Sequence, residues 1–135
     1  MKKIVDYEKN EALEDIVLSP VSRMDLIKYA GASGDYNPIH TIDEEAKRAG
    51  LPGIIAHGMW TMGNLSKLFT PFYDEGFIED FRIRFANMVF LGDTITLKAV
   101  VEDNMQRHVN VNVVAINQHG NEVIKGQVKF RKYEH

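Results

Sequence analysis

The second half of the chain changes its period. FIEDFRIRFANMVF, DTITLKAVVED, HVNVNVVAIN and NEVIKGQVKFRKY alternate or cluster β-branched and aromatic residues. A period of two sends successive side chains to opposite faces, so each segment is a strand with one face to bury. Asn87, Gly92-Asp93, Asp103-Asn104 and His119-Gly120-Asn121 punctuate the run as turns, which predicts four successive antiparallel strands. A further strand around Glu14 to Val21 brings the sheet to about five, a common size. Such a sheet must find something to cover its apolar face.

The first half supplies the cover. Ser22 is read as the N-cap of a short helix with apolar Met24, Leu26, Ile27 and Ala30 on a broad face, ending near Gly31 to Gly34. Thr41-Ile42-Asp43-Glu44 matches a capping box for a second short helix, EEAKRA, which stops at Gly50 with Pro52 just beyond. The longest helical stretch runs from His57 to Phe72, where Met59, Met62, Leu65, Phe69 and Phe72 recur at three- and four-residue spacing. It is apolar on most sides and is expected to be buried. A long central helix wrapped by an antiparallel sheet of about five strands is an α+β arrangement, the hot-dog fold.

At 135 residues, with no linker, repeat or low-complexity tract, the expectation is one hot-dog domain over 1–135. A net charge of -3, with basic and acidic residues interspersed, gives no footprint for nucleic acid. The absence of cysteine rules out disulfides, a thiol nucleophile and thiolate metal ligands. Charged residues interrupt the amino terminus before a signal-like stretch develops, and no run approaches the ~20 apolar residues of a spanning helix. A cytoplasmic protein without membrane segments is expected.

Chemistry concentrates in two segments. In GDYNPIH, from Gly34 to His40, Pro38 fixes its own φ and pushes Asn37 towards extended conformations, while the Asn37 side chain can close an Asx turn. A rigid loop of that kind can aim Asp35 and His40 at one point, which acid/base catalysis requires. Gly, Asp, Asn and Pro are also what any surface turn selects, so the loop takes its meaning from the second segment. In IIAHGMWTMG, Gly58 sits at the first turn of the buried helix, where unpaired N–H groups and partial positive charge favour an oxyanion. Acid, base and oxyanion site make a catalytic constellation.

Three stretches carry a family resemblance: YAGASGDYNPIH (Tyr29 to His40), EEAKRAGLPGIIAHGM (Glu44 to Met59) and TMG (Thr61 to Gly63). The sequence resembles the MaoC-like hot-dog hydratases and dehydratases, a family that includes R-specific enoyl-CoA hydratases and 3-hydroxyacyl-ACP dehydratase subunits. The resemblance implies reversible hydration of trans-2-enoyl thioesters to (R)-3-hydroxyacyl thioesters in fatty acid metabolism, on acyl-CoA or acyl-ACP. It implies Asp35 and His40 as the catalytic pair, the Gly58 N–H as the oxyanion donor, Asn37 as the residue supporting the loop and Ser66 as the serine that orients the Asp. No cofactor or metal is expected, since neither a His-x-x-x-His spacing nor a Cys partner accompanies His40 and His57.

His57 is read as structural, bonding across the loop and the helix start. Trp60, with Met59 beside it, is placed as lining for the acyl pocket, and its bulk, where the family often has an aliphatic residue, implies a shortened or reshaped tunnel. Two other functions compete. A hot-dog thioesterase is disfavoured because Gly58 through Tyr73 holds no Asp or Glu, and a non-catalytic acyl-binding partner would not need both Asp35 and His40. An open sheet edge implies a homodimer or higher homo-oligomer, with a heterodimer of homologous subunits as the other arrangement.

Overall fold

The computed structural model describes residues 2–134. Five strands, β1 (Ile16–Val17), β2 (Gly76–Phe85), β3 (Thr96–Asn104), β4 (His108–Ile116) and β5 (Glu122–Lys132), form one sheet in the spatial order β1-β3-β4-β5-β2, every neighbouring pair antiparallel. The four later strands therefore do not follow one another across the sheet. β2 crosses to the far edge and pairs with β5, while β3, β4 and β5 are joined by short turns. The turn expected at Asp103-Asn104 lies one step later, at residues 105–107, because β3 continues through Asn104. At the next corner the Asn117 side chain accepts from the backbone N–H of His119 and of Asn121, and Gly120 takes a φ of +78° that side chains disfavour.

Alternation decides the inward face. Leu97, Ala99 and Val101 of β3, Val109, Val111, Val113 and Ala115 of β4, and Val128 and Phe130 of β5 are all buried. They pack in one cluster with Leu65, Leu68, Phe69 and Phe72. Those four belong to the central helical segment, which is α-helical only in its first half, α3 (Gly58–Leu65), and continues as a 3-10 helix over Ser66–Phe72. The expected single long α-helix is thus corrected to an α-helix with a 3-10 extension. The Ser66 N–H already turns to the Gly63 carbonyl, and Pro71 brings no N–H to continue an α ladder. His57 is the N-cap and not part of the helix.

The other two helices flank the site. α1 (Arg23–Ser33) begins with a capping box between Ser22 and Asp25 and ends at Gly34, whose φ of +76° closes it. Its buried side is narrow, Leu26 and Ala30, whereas Met24 and Ile27 are exposed, contrary to the broad apolar face expected. α2 (Asp43–Arg48) also departs from expectation: its N-cap is Ile42, with no side-chain cap, so Thr41 does not form the capping box. The cause is upstream. A 3-10 turn over Pro38–His40 draws the N–H groups of both Thr41 and Ile42 to the Pro38 carbonyl, so Thr41 ends that turn and does not begin a helix.

Candidate active site

The GDYNPIH loop hangs between α1 and the 3-10 turn, and its own side chains stiffen it. The Asp35 N–H donates to the Ser33 hydroxyl, the Asn37 N–H to the Asp35 carboxylate at 3.2 Å, and the Ile39 N–H to the Asn37 side-chain oxygen at 3.2 Å. Asn37 thus closes the Asx turn that Pro38 permits. His40, at the end of the turn, is buried, and its Nδ1 lies 2.7 Å from the Ile55 carbonyl. A carbonyl only accepts, so Nδ1 carries a proton and Nε2 is the ring nitrogen left for chemistry.

His57 ties the loop to the start of α3. Its Nε2 donates to the Asp35 backbone carbonyl at 3.1 Å, its ring stacks on His40 with centroids 3.8 Å apart, and the Tyr29 ring meets its edge at 4.8 Å. Burial holds the His57 imidazole below its usual pKa and nearby His40 adds to the effect, against the Asp35 carbonyl and carboxylate, which pull upward. His57 is therefore neutral at neutral pH and serves as a spacer and hydrogen-bond donor. Its Nδ1 is buried without a partner among the described residues.

An Asp35 oxygen and one ring nitrogen from each of His40 and His57 lie within 4.8 Å of one another. That separation suits one water held by two hydrogen bonds. It does not suit a metal: the stacked rings, tilted by 23°, keep their in-plane lone pairs from converging at the ~2 Å a metal ligand requires. Asp35 itself is exposed and His40 buried, so the pair spans the boundary between solvent and interior.

Beyond His40 opens a cavity of about 200 Å³ lined by His40, Gly58, Thr61, Phe85, Val89 and Ile124, among others. Gly58 is the first residue of α3, so its N–H has no intrahelical acceptor and faces the positive end of the helix dipole. Glycine lets the Phe85 ring sit where it does, since a Cβ would stand 2.6 Å from that ring and displace it. The structure therefore brings Asp35, His40 and Gly58 to one place. Asn37 supports the loop, as described. Ser66 instead donates to the Gly63 carbonyl of its own helix at 2.6 Å. Met59 is more than half exposed, Trp60 packs against the core, and neither lines this cavity. Sequence reasoning picked out His40 and Gly58 but missed the rest of the lining, Thr61 and Phe85 included. Thr61 carried a signal, being a polar residue one turn after Gly58 on the buried side of the helix; Phe85 carried none, because it arrives from β2 by tertiary packing.

Comparison with known proteins places these features in a wider set. The family model described as MaoC like domain matches residues 8–123. A 3-hydroxybutyryl-CoA dehydratase from Methylorubrum extorquens is 27% identical over 126 residues, covering 90% of this chain and 80% of that protein. The peroxisomal hydratase-dehydrogenase-epimerase of Saccharomyces cerevisiae is 42% identical over 67 residues, 50% of this chain but 7% of that protein. The chain thus spans only a small part of the length of such multifunctional relatives. Among solved structures, the unliganded R-hydratase PhaJ1 from Pseudomonas aeruginosa superposes with a TM-score of 0.87 at 25% identity, covering 96% of this chain and 84% of that one.

Proposed function

The chain belongs to the MaoC-like domain family, and from that premise we propose that it is a hydro-lyase, adding water to trans-2-enoyl thioesters to give (R)-3-hydroxyacyl thioesters or running the reverse dehydration. The observation that carries the proposal is the approach of the Asp35 carboxylate and a His40 ring nitrogen within 4.8 Å, beside a cavity that begins at the N-terminus of α3. One water bridges the two side chains. The thioester carbonyl accepts from the Gly58 N–H, so the negative charge that builds on its oxygen meets a fixed donor and the helix dipole, together a contribution of about 3 kcal/mol. Asp35 takes a proton from the water as its oxygen attacks the β-carbon, and His40, entering this step as the imidazolium, delivers its Nε2 proton to the α-carbon; passage of the proton from Asp35 to His40 then resets the pair. Dehydration reverses each transfer. Asn37 keeps the loop rigid, and Ser66 would have to give up its bond to the Gly63 carbonyl before it could donate to Asp35.

The substrate is an acyl thioester of CoA or of an acyl carrier protein, the setting is fatty acid metabolism in the cytoplasm, and the chain works as an oligomer, with itself or with a homologous subunit. No cofactor takes part. Among the described residues no helix is long and apolar enough to cross a membrane.

The test is direct. Crotonyl-CoA offered to the protein should lose its enoyl absorbance, and Asp35→Asn and His40→Ala should each lower turnover by about 10²–10⁴-fold. Unchanged turnover in both variants would refute the assignment. Release of free CoA without hydration would indicate a thioesterase.

A further inference from the structure

Thr61 is 1% exposed, yet its hydroxyl has no hydrogen-bond partner among the described residues. Leaving a buried hydroxyl unpaired costs about 1–3 kcal/mol, so such a group calls for a partner from outside the chain, a ligand or a water. Threonine in a helix commonly bonds back to the preceding turn, in one of the two χ1 rotamers open to it; this residue lines the 200 Å³ cavity that His40 and Gly58 open, and its hydroxyl stays sealed until the rotamer changes or a ligand enters. Much of the remaining wall is apolar, from Ile55, Ala56, Phe85, Met88, Val89 and Ile124.

We propose that Thr61 is a specificity-determining residue that hydrogen-bonds a neutral oxygen near the far end of a short acyl group. The inference rests on the thioester reading above and names the substrate class for that same site. Depth supports it. Thr61 follows Gly58 by three residues, about 4.5 Å along the helix axis. With the thioester carbonyl at Gly58 and an advance of about 1.2–1.3 Å per bond, an extended acyl chain lying along the helix draws level with Thr61 between its fourth and fifth carbons. Volume agrees, since 200 Å³ is about six or seven water-sized volumes, room for a short acyl group. The oxygen is neutral because no lysine or arginine lines the cavity to pair with a carboxylate.

A shape-matched pair of saturated thioesters separates this from simple apolar packing: 4-oxopentanoyl-CoA carries a carbonyl where 4-methylpentanoyl-CoA carries a methyl. Titration calorimetry on the intact protein should show about tenfold tighter binding of the oxo compound. Thr61→Val should abolish that preference, and Thr61→Ser should retain it. Equal affinities in the wild type, as when the hydroxyl holds only an ordered water, overturn the inference, and so does a preference that survives Thr61→Val. The two readings fail separately. Hydration of crotonyl-CoA with equal affinities removes only the role of Thr61, whereas a Thr61-dependent preference without any hydration removes only the hydro-lyase.

Discussion

Gly58 and His57 are neighbours with opposite demands on space and charge. A methyl group at residue 58 would stand 2.6 Å from the Phe85 ring, and that ring is about half exposed, so it can swing aside at the cost of the wall it makes for the cavity. Gly58→Ala is therefore expected to fold and to lose about a hundredfold in kcat/KM through misplacement of the thioester, with Phe85→Ala in the same chain restoring part of it. A double variant no faster than the single one would show that the crowding does not act through Phe85. At His57 the question is charge. Burial depresses its pKa, so the unfolded chain, with the ordinary value near 6.5, takes up the proton first as pH falls. The stability this neutral ring contributes is complete above the unfolded value and is lost as pH falls towards the lowered folded one. Melting temperatures should decline between pH 7.5 and 5 more steeply in the wild type than in His57→Asn; parallel declines would contradict the assignment of His57 as a buried neutral ring.

At the scale of elements, the pairing of β2 with β5 depends on glycines that pack against backbone. A Cβ at Gly126 would stand 2.1 Å from the Arg82 carbonyl oxygen, which cannot rotate away as a side chain can. Gly126→Ala should cost about 1–3 kcal/mol, read as a lower urea midpoint. Gly31, inside α1 with nothing within 4 Å of its Cβ position, is the control: Gly31→Ala should raise the midpoint, by up to about 1 kcal/mol of stability. These glycines also show how far the sequence could be read. The strands were legible because alternation is a local property, and so were Ser22 as a cap and Gly34 as a stop. The partner of β2 was not, because pairing across the sheet is set by the packing of the whole chain and leaves no mark in the strand itself. Thr41 failed as a cap because the preceding turn captured its N–H, and the central helix tightened into 3-10 geometry where Ser66 and Pro71 altered its ladder. In the candidate site, Asp35, His40 and Gly58 announced themselves by residue type in short segments. Thr61 left only the mark of a polar residue on a buried helix face, and Phe85 required three dimensions.

For the whole molecule, the two sheet edges differ. β1, with two residues, offers almost nothing to pair with, whereas β2 presents ten residues as the opposite edge. A long edge strand is a template for another chain unless something covers it. Around it stand Phe77, Phe85 and Met88, each about half exposed, and Tyr36 and Met59 are exposed beside the site. Apolar surface near both an open edge and the candidate site favours association that covers the two together. Light scattering should therefore give a mass near twice the 15.4 kDa of the chain or a higher multiple. Phe77→Lys, which sets a charge on the edge strand, should shift the population towards monomer and reduce crotonyl-CoA turnover along with it. A wild-type protein that is monomeric at micromolar concentration and fully active would show that one chain completes the site alone. A Phe77→Lys monomer with undiminished turnover would separate assembly from catalysis and leave the apolar edge to some other contact.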